Sequence, residues 1–289
     1  MAATCVRGRH HVRTQLSASD GKVGIFLFTP TIPNYPKAKF PGVVVFSEIY
    51  QGKYPRITLL QDSGNCVTGP VQRFARQIAG HGYIVAAPSS YHEFTGPEAL
   101  AYDGPGTDAG NAWKIEKKVS AYDEDATLSI DALVGMSNCN GRIGATGMCL
   151  GGHLAFRCAF DKRVLASVCY FATDIHSSTL GEGKKDDSIK RVKDIKGETA
   201  MIFGKRDNHV PPPSRDAIRA ALSEAGVIYS FYELAWAQHA FIRDELSKGR
   251  YDPALAEICF QILLELFGRT LSGDLGSREG EGGEVEDIC

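Results

Sequence analysis

A chain of 289 residues, 43% hydrophobic and 23% charged, has the make-up of a globular protein with one large core rather than of a disordered chain. Its 32 Lys plus Arg against 34 Asp plus Glu leave no net field to hold a phosphate polymer or an anionic membrane, so no nucleic-acid or membrane partner is expected. No apolar stretch reaches the roughly 18 residues of a membrane span or follows the basic first residues as a signal peptide would, which points to a soluble, cytoplasmic protein.

Residues 1–20 read as an N-terminal arm, and a single domain is expected over 21–271. GVVVFS at 42–47 and YIVAA at 83–87 are short apolar runs beside turn residues, as buried parallel strands require. Between them Pro70 opens a helix on which Val71, Phe74, Ala75 and Ile78 recur, and Gly80 closes it. Residues 89–118 mix Tyr91, Phe94, Tyr102 and Trp113 with glycines and prolines, the composition of a loop or cap over a site. A helix over about 122–136, a strand at 142–146, a helix after Cys149 and a strand at 166–171 follow. Residues 173–196 are polar and glycine-bearing, a second candidate cap. A strand at 200–203, a helix at 213–225, a strand at 228–234 and a helix at 253–271 complete the domain, and 272–289 is too glycine-rich and acidic to bury itself. This βα alternation gives an α/β fold with a mostly parallel central sheet and helices on both faces.

Eight cysteines lie scattered without a CxxC pair, so free thiols are expected, and Cys158, Cys169 and Cys259 sit in apolar runs as small hydrophobes. No cluster has metal-ligand spacing, and neither a metal nor a cofactor is implied. Gly147-Met148-Cys149-Leu150-Gly151-Gly152 stands between a strand and an apolar helix, the context of a nucleophile elbow with cysteine in place of serine. The glycines allow a turn tight enough to leave the sulfur exposed. In such folds an acid and then a histidine follow the nucleophile along the chain. Asp207, after the strand AMIF, and His239, after SFYEL, stand in that order at strand ends, where open α/β sheets keep their ligands. His209 competes as base but shares its loop with Asp207, so His239 is favoured. His153, on the helix after the elbow, is read as a packing residue, and His10 and His11 as solvated ones.

These motifs, with FSEIY at 46–50, GKRDNHVP at 204–211 and QHAFIRD at 238–244, resemble the dienelactone hydrolase (carboxymethylenebutenolidase) family over about 21–271. The resemblance implies an α/β-hydrolase fold in which Cys149 is the nucleophile, His239 its base and Asp207 the orienting acid. It also implies that Glu48 contacts the resting thiol and helps to activate it. An oxyanion hole would use the backbone N–H groups of Leu150 and Ile49. Arg243, four residues after His239, matches one of two family arginines that hold the substrate carboxylate. Ala240 stands where the family has a serine, and Glu93 falls where the second arginine is expected, so the usual dienelactone acid should bind poorly. Tyr91, Trp113 and Tyr170 are further candidate substrate contacts. The expected reaction is hydrolysis of a small activated ester, lactone or thioester through an acyl-cysteine, by a monomer or homodimer. Isomerisation or elimination in the same site, and a silent binding domain, are the alternatives.

Overall fold

The computed structural model describes residues 12–32, 35–51, 69–95, 99–245 and 249–272. Of the expected tail at 272–289 only Ser272 is described, at the end of a π-helical turn, while the rest of it, His10, His11 and the first part of the arm lie outside the described residues. An eight-stranded sheet forms the centre, in the order β1 (Val12–Ala18), β2 (Gly21–Phe28), β4 (Ile84–Pro88), β3 (Phe40–Phe46), β5 (Cys139–Met148), β6 (Val164–Tyr170), β7 (Glu198–Gly204), β8 (Tyr229–Leu234). β2 runs antiparallel to both its neighbours, and every other pairing from β4 to β8 is parallel. The arm read from sequence therefore contributes an edge strand, β1, which together with β2 was not expected.

The strands bury both faces. Val43, Val45, Val85, Val168 and Ile202 pack beneath α1 (Pro70–Gly80) and α7 (Pro253–Phe267), while Val44, Phe46, Ile84, Cys169 and Phe203 face α4 (Val119–Val134), α5 (Leu150–Cys158) and α6 (Pro212–Glu224). This alternation of neighbouring residues between two cores is why the strands read as unbroken apolar runs. Cys158, Cys169 and Cys259 are buried in these cores, and burial raises each thiol pKa.

The first expected cap is largely helical: α2 (His92–Thr95) leads into α3 (Gly104–Glu116), whose N-terminus is capped by Asp103 through Gly106 N–H at 2.8 Å. The glycines and prolines that suggested a loop serve close packing instead. A Cβ on Gly110 would lie 2.3 Å from the Ile49 carbonyl oxygen, so only glycine lets α3 rest on the 48–51 segment. The second cap, 173–196, contains three short 3₁₀ turns. It is fastened to α5 by Arg157, whose guanidinium reaches Asp123, Asp186 and Asp187 at 2.7–2.8 Å, and by His153 Nε2 at 2.7 Å from Ser188 Oγ. His153 is thus a buried packing residue in a polar network.

A cluster of buried charge ties the first cap to α4. The Lys117 ammonium is 2.7 Å from Asp125 and 3.0 Å from Glu93, and donates to the Ser90 carbonyl at 2.9 Å. A fully buried ammonium is stable only with such partners, and these fix the end of α3 to α2 and α4.

Candidate active site

Four sequence-predicted residues lie just past strand C-termini on one edge of the sheet: Glu48 after β3, Cys149 after β5, Asp207 after β7 and His239 after β8. Cys149 has φ 58° and ψ −119°, a conformation that costs an L-residue of order 1–3 kcal/mol. The bend is held because the chain behind it has no space to relax. A Cβ on Gly151 would sit 2.2 Å from the Phe46 carbonyl oxygen and 2.7 Å from that of Ser47, so α5 begins directly against the end of β3. Positive φ recurs around the site at Gln51, Phe171, Asp174 and Ala240.

His239 Nδ1 is 2.8 Å from Asp207 Oδ2, and both residues are buried. The other carboxylate oxygen accepts the His209 N–H at 2.8 Å and the Val210 N–H at 3.4 Å, so Asp207 is fixed by its own loop while it orients the ring. Burial acts to lower the His239 pKa, but the Cys149 sulfur facing it and its hydrogen bonds to Asp207 and Cys149 raise it to about 10. Burial acts to raise the Asp207 pKa, and the bond and charge of His239 outweigh it, so that carboxyl lies below the usual range. An imidazole backed by a buried carboxylate and turned toward a sulfur is arranged to pass protons to and from that sulfur.

Glu48 is buried, but its carboxylate is held at 3.2 and 3.3 Å by Arg243 Nη1, with the Tyr102 hydroxyl at 3.5 Å. The Arg243 guanidinium lies over the Tyr102 and Tyr50 rings, 5.0 and 5.6 Å from their centroids. Among the described residues Glu48 makes no hydrogen bond to Cys149; its carboxylate pairs with Arg243, and both Glu48 and Cys149 line one cavity.

A cavity of about 280 Å³ opens onto Cys149 and His239. It is lined by Glu48, Ile49, Tyr50 and Arg243, by Thr107, Asn111 and Lys114 of α3, by Thr173 and Asp174 of the second cap, and by His209 and Arg250. Four expected substrate contacts lie elsewhere. Tyr91 is buried, its hydroxyl donating to the Gly110 carbonyl at 3.0 Å, and Trp113 stacks on Phe94 with centroids 5.6 Å apart. Tyr170 packs in the core with α7, its hydroxyl donating to the Cys259 carbonyl at 3.0 Å, and does not line the cavity. Glu93 is held by Lys117, so the repulsion expected from it does not reach the cavity. The residues not foreseen, Thr107, Asn111 and Lys114, follow helical i, i+4, i+7 spacing, a signal readable only once the segment is known to be a helix.

The described residues bring Asp20, His92 and Glu93 within cation-binding distance of one another, outside this cavity. Lys117 Nζ, 3.0 Å from Glu93 and 4.0 Å from Asp20, already supplies positive charge there.

The model of the dienelactone hydrolase family matches residues 26–271. The chain is also 48% identical over 284 residues, 97% of each chain, to the Saccharomyces cerevisiae protein named "Putative carboxymethylenebutenolidase". The chain belongs to the dienelactone hydrolase family. An Escherichia coli relative of the same name is 26% identical over 202 residues, covering 68% of this chain and 70% of its own. Among solved structures, a Klebsiella pneumoniae protein titled "Putative Dienelactone Hydrolase" superposes with a TM-score of 0.69 at 19% identity, over 89% of this chain and 98% of that one. Acylaminoacyl peptidase of Pyrococcus horikoshii shares the fold, with a TM-score of 0.66 at 14% identity, over 96% of this chain and 43% of its own. The sheet and helices are those of an α/β hydrolase, and this member of the dienelactone hydrolase family acts on ester or lactone bonds.

Proposed function

We propose that this dienelactone hydrolase cleaves small activated esters, lactones or thioesters through an acyl-enzyme on Cys149. The observation that carries the reading is the strained presentation of the Cys149 sulfur toward an imidazole that Asp207 holds from behind. The Cys149 thiolate attacks the substrate carbonyl, a C–S bond forms, and the C–O (or C–S) bond to the leaving group breaks as His239 gives that group its proton. Water then attacks the acyl carbon, His239 takes the water's proton, and breaking the C–S bond returns the thiolate and frees the acid.

The oxyanion falls to the N–H groups of Ile49 and Leu150. Among the described residues neither makes a hydrogen bond, and Leu150, as first residue of α5, has no intrahelical acceptor to find. A fixed negative charge beside the sulfur would disfavour a thiolate, and Arg243 offsets that of Glu48. The cavity sits at the small end of ligand sites, below the roughly 300–1,000 Å³ of drug-sized pockets, which suits a short acyl group. Arg250 lines it with no carboxylate partner among the described residues, and so offers charge to an acid part that is itself polar.

Electrophilic acyl probes, aryl esters, lactones and acyl thioesters should be compared on wild type, Cys149→Ala and His239→Ala. One thiol should be acylated in wild type, in a reaction abolished by either substitution together with turnover. Turnover that persists in Cys149→Ala, or labelling spread over several thiols and unaffected by His239→Ala, rejects the acyl-cysteine.

A further inference from the structure

His209 is the second histidine of the Asp207 loop, and the reaction above gives it no role. Its ring lies against that of His239, with centroids 4.2 Å apart and planes inclined by 37°. On another side of His239 stands Phe171, edge-on at 5.0 Å and 67°. Two rings therefore abut the imidazole. Phe171 is fully buried and part of the core, whereas His209 is exposed and borders the cavity.

The placement of His209 follows from the same carboxylate that orients His239. Asp207 Oδ1 accepts the His209 N–H at 2.8 Å while Oδ2 faces His239 Nδ1 at 2.8 Å. One side chain thus sets both the hydrogen bond behind His239 and the backbone that lays a second ring against it. The charged groups acting on His209 are His239, Arg250 and Lys114, which oppose its protonation, and Asp207, which favours it. Partial burial of the ring, the largest influence, and the first three groups outweigh Asp207 and lower its pKa, so at neutral pH it adds no second cation beside His239.

We propose that His209 is a positioning residue: packed at a tilt against His239, it keeps that imidazole turned toward Cys149 and screens the thiolate–imidazolium pair from water. The inference rests on the proposed role of His239 and deepens it. A tilted ring–ring contact requires an aromatic body and neither a proton nor a hydrogen bond, which separates this role from acid–base catalysis by His209 itself. Loss of the ring lets His239 rotate and water enter, so the sulfur loses its proton-transfer partner and reacts more slowly at neutral pH.

The test uses the full chain and the pH dependence of iodoacetamide alkylation at Cys149, located by peptide mass mapping, beside kcat and KM for phenyl acetate. His209→Ala and His209→Gln should each raise the alkylation midpoint by about one pH unit and lower kcat about tenfold, with a smaller change in KM. His209→Phe, which restores a ring without a titrating group, should recover most of both losses. The proposal is overturned if all three variants keep the wild-type midpoint. It is equally overturned if Phe is as impaired as Ala and Gln, since the proton or hydrogen bond would then matter instead of the ring contact. His239→Gln separates the two layers of the argument: it should raise the midpoint further than any His209 variant. If His239→Gln leaves the midpoint unmoved, the proposed role of His239 fails and the role of His209 falls with it. A midpoint that moves with His239 but with no His209 variant rejects His209 alone.

Discussion

Replacing Asp207 by Asn tests the proposed proton-transfer system with little change of shape. The amide oxygen can still accept the His209 N–H, now 2.8 Å from Oδ1, so the loop keeps its fold while the negative charge behind His239 disappears. Two unit charges about 4 Å apart attract by about 4 kcal/mol at an effective dielectric of about 20, and a charge-assisted hydrogen bond contributes about 1.5–3 kcal/mol net. Taking about 2–3 kcal/mol as the loss on the imidazolium, kcat/KM should fall roughly 27- to 140-fold, at about 1.4 kcal/mol per tenfold. The fall should be carried by kcat. The assay is steady-state hydrolysis of an aryl ester at pH 7–8, with near-ultraviolet circular dichroism as the control for folding. A loss smaller than about fivefold, or one carried by KM alone, would falsify the assignment of Asp207 as the orienting acid. Stability supplies a second reading. Because the folded-state pKa of Asp207 is lowered, its contribution is present above the unfolded carboxyl value and lost as pH falls through the folded one. Asp207→Asn should therefore flatten the acid side of the stability curve relative to wild type.

Gly151→Ala places a Cβ 2.2 Å from a backbone oxygen of Phe46, and neither chain can retreat without moving the 46–49 segment, so urea unfolding should report a loss of at least about 3 kcal/mol; a variant of wild-type stability and activity would show that the elbow is not tightly packed. Lys117→Met leaves Asp125 and Glu93 with only His92 Nε2, at 3.1 and 3.5 Å, as their partner in the cluster, and should cost about 3 kcal/mol in the same measurement at neutral pH. That loss should shrink in acid as the carboxyls take up protons, and an unchanged urea midpoint at pH 7 would contradict it. In Cys149→Ala the sulfur that helps to hold the His239 pKa near 10 is gone, so the ring protons of His239 should titrate at lower pH by NMR. A titration still centred near 10 would mean that Asp207 alone sustains the shift.

The parallel strands were legible because burial on both faces writes them as apolar runs, and GMCLGG because a bend pressed against β3 admits few residues besides glycine. The order Cys149, Asp207, His239 could be read because each residue follows a strand that was itself recognisable. The cap could not be read the same way. Gly104, Pro105, Gly106 and Gly110 carry a loop composition, but in α3 they sit at the N-terminus or where backbone approaches backbone. With that helix unseen, the stripe Thr107, Asn111 and Lys114 had no meaning, and attention fell on aromatic residues that turned out to pack: Tyr91, Trp113 and Tyr170. Choosing between His209 and His239 as partner of Asp207 was possible from chain geometry, yet that both rings share one site was not, since it depends on the turn Asp207 makes with its own loop.

The seat of α3 on Ile49 bears on how this scaffold can be altered. With no side chain at Gly110 to act as a spacer, a shift or rotation of the helix is handed straight to the peptide units that follow β3. A cap transplanted from a relative should therefore seat only when the segment of that relative equivalent to 48–51 travels with it.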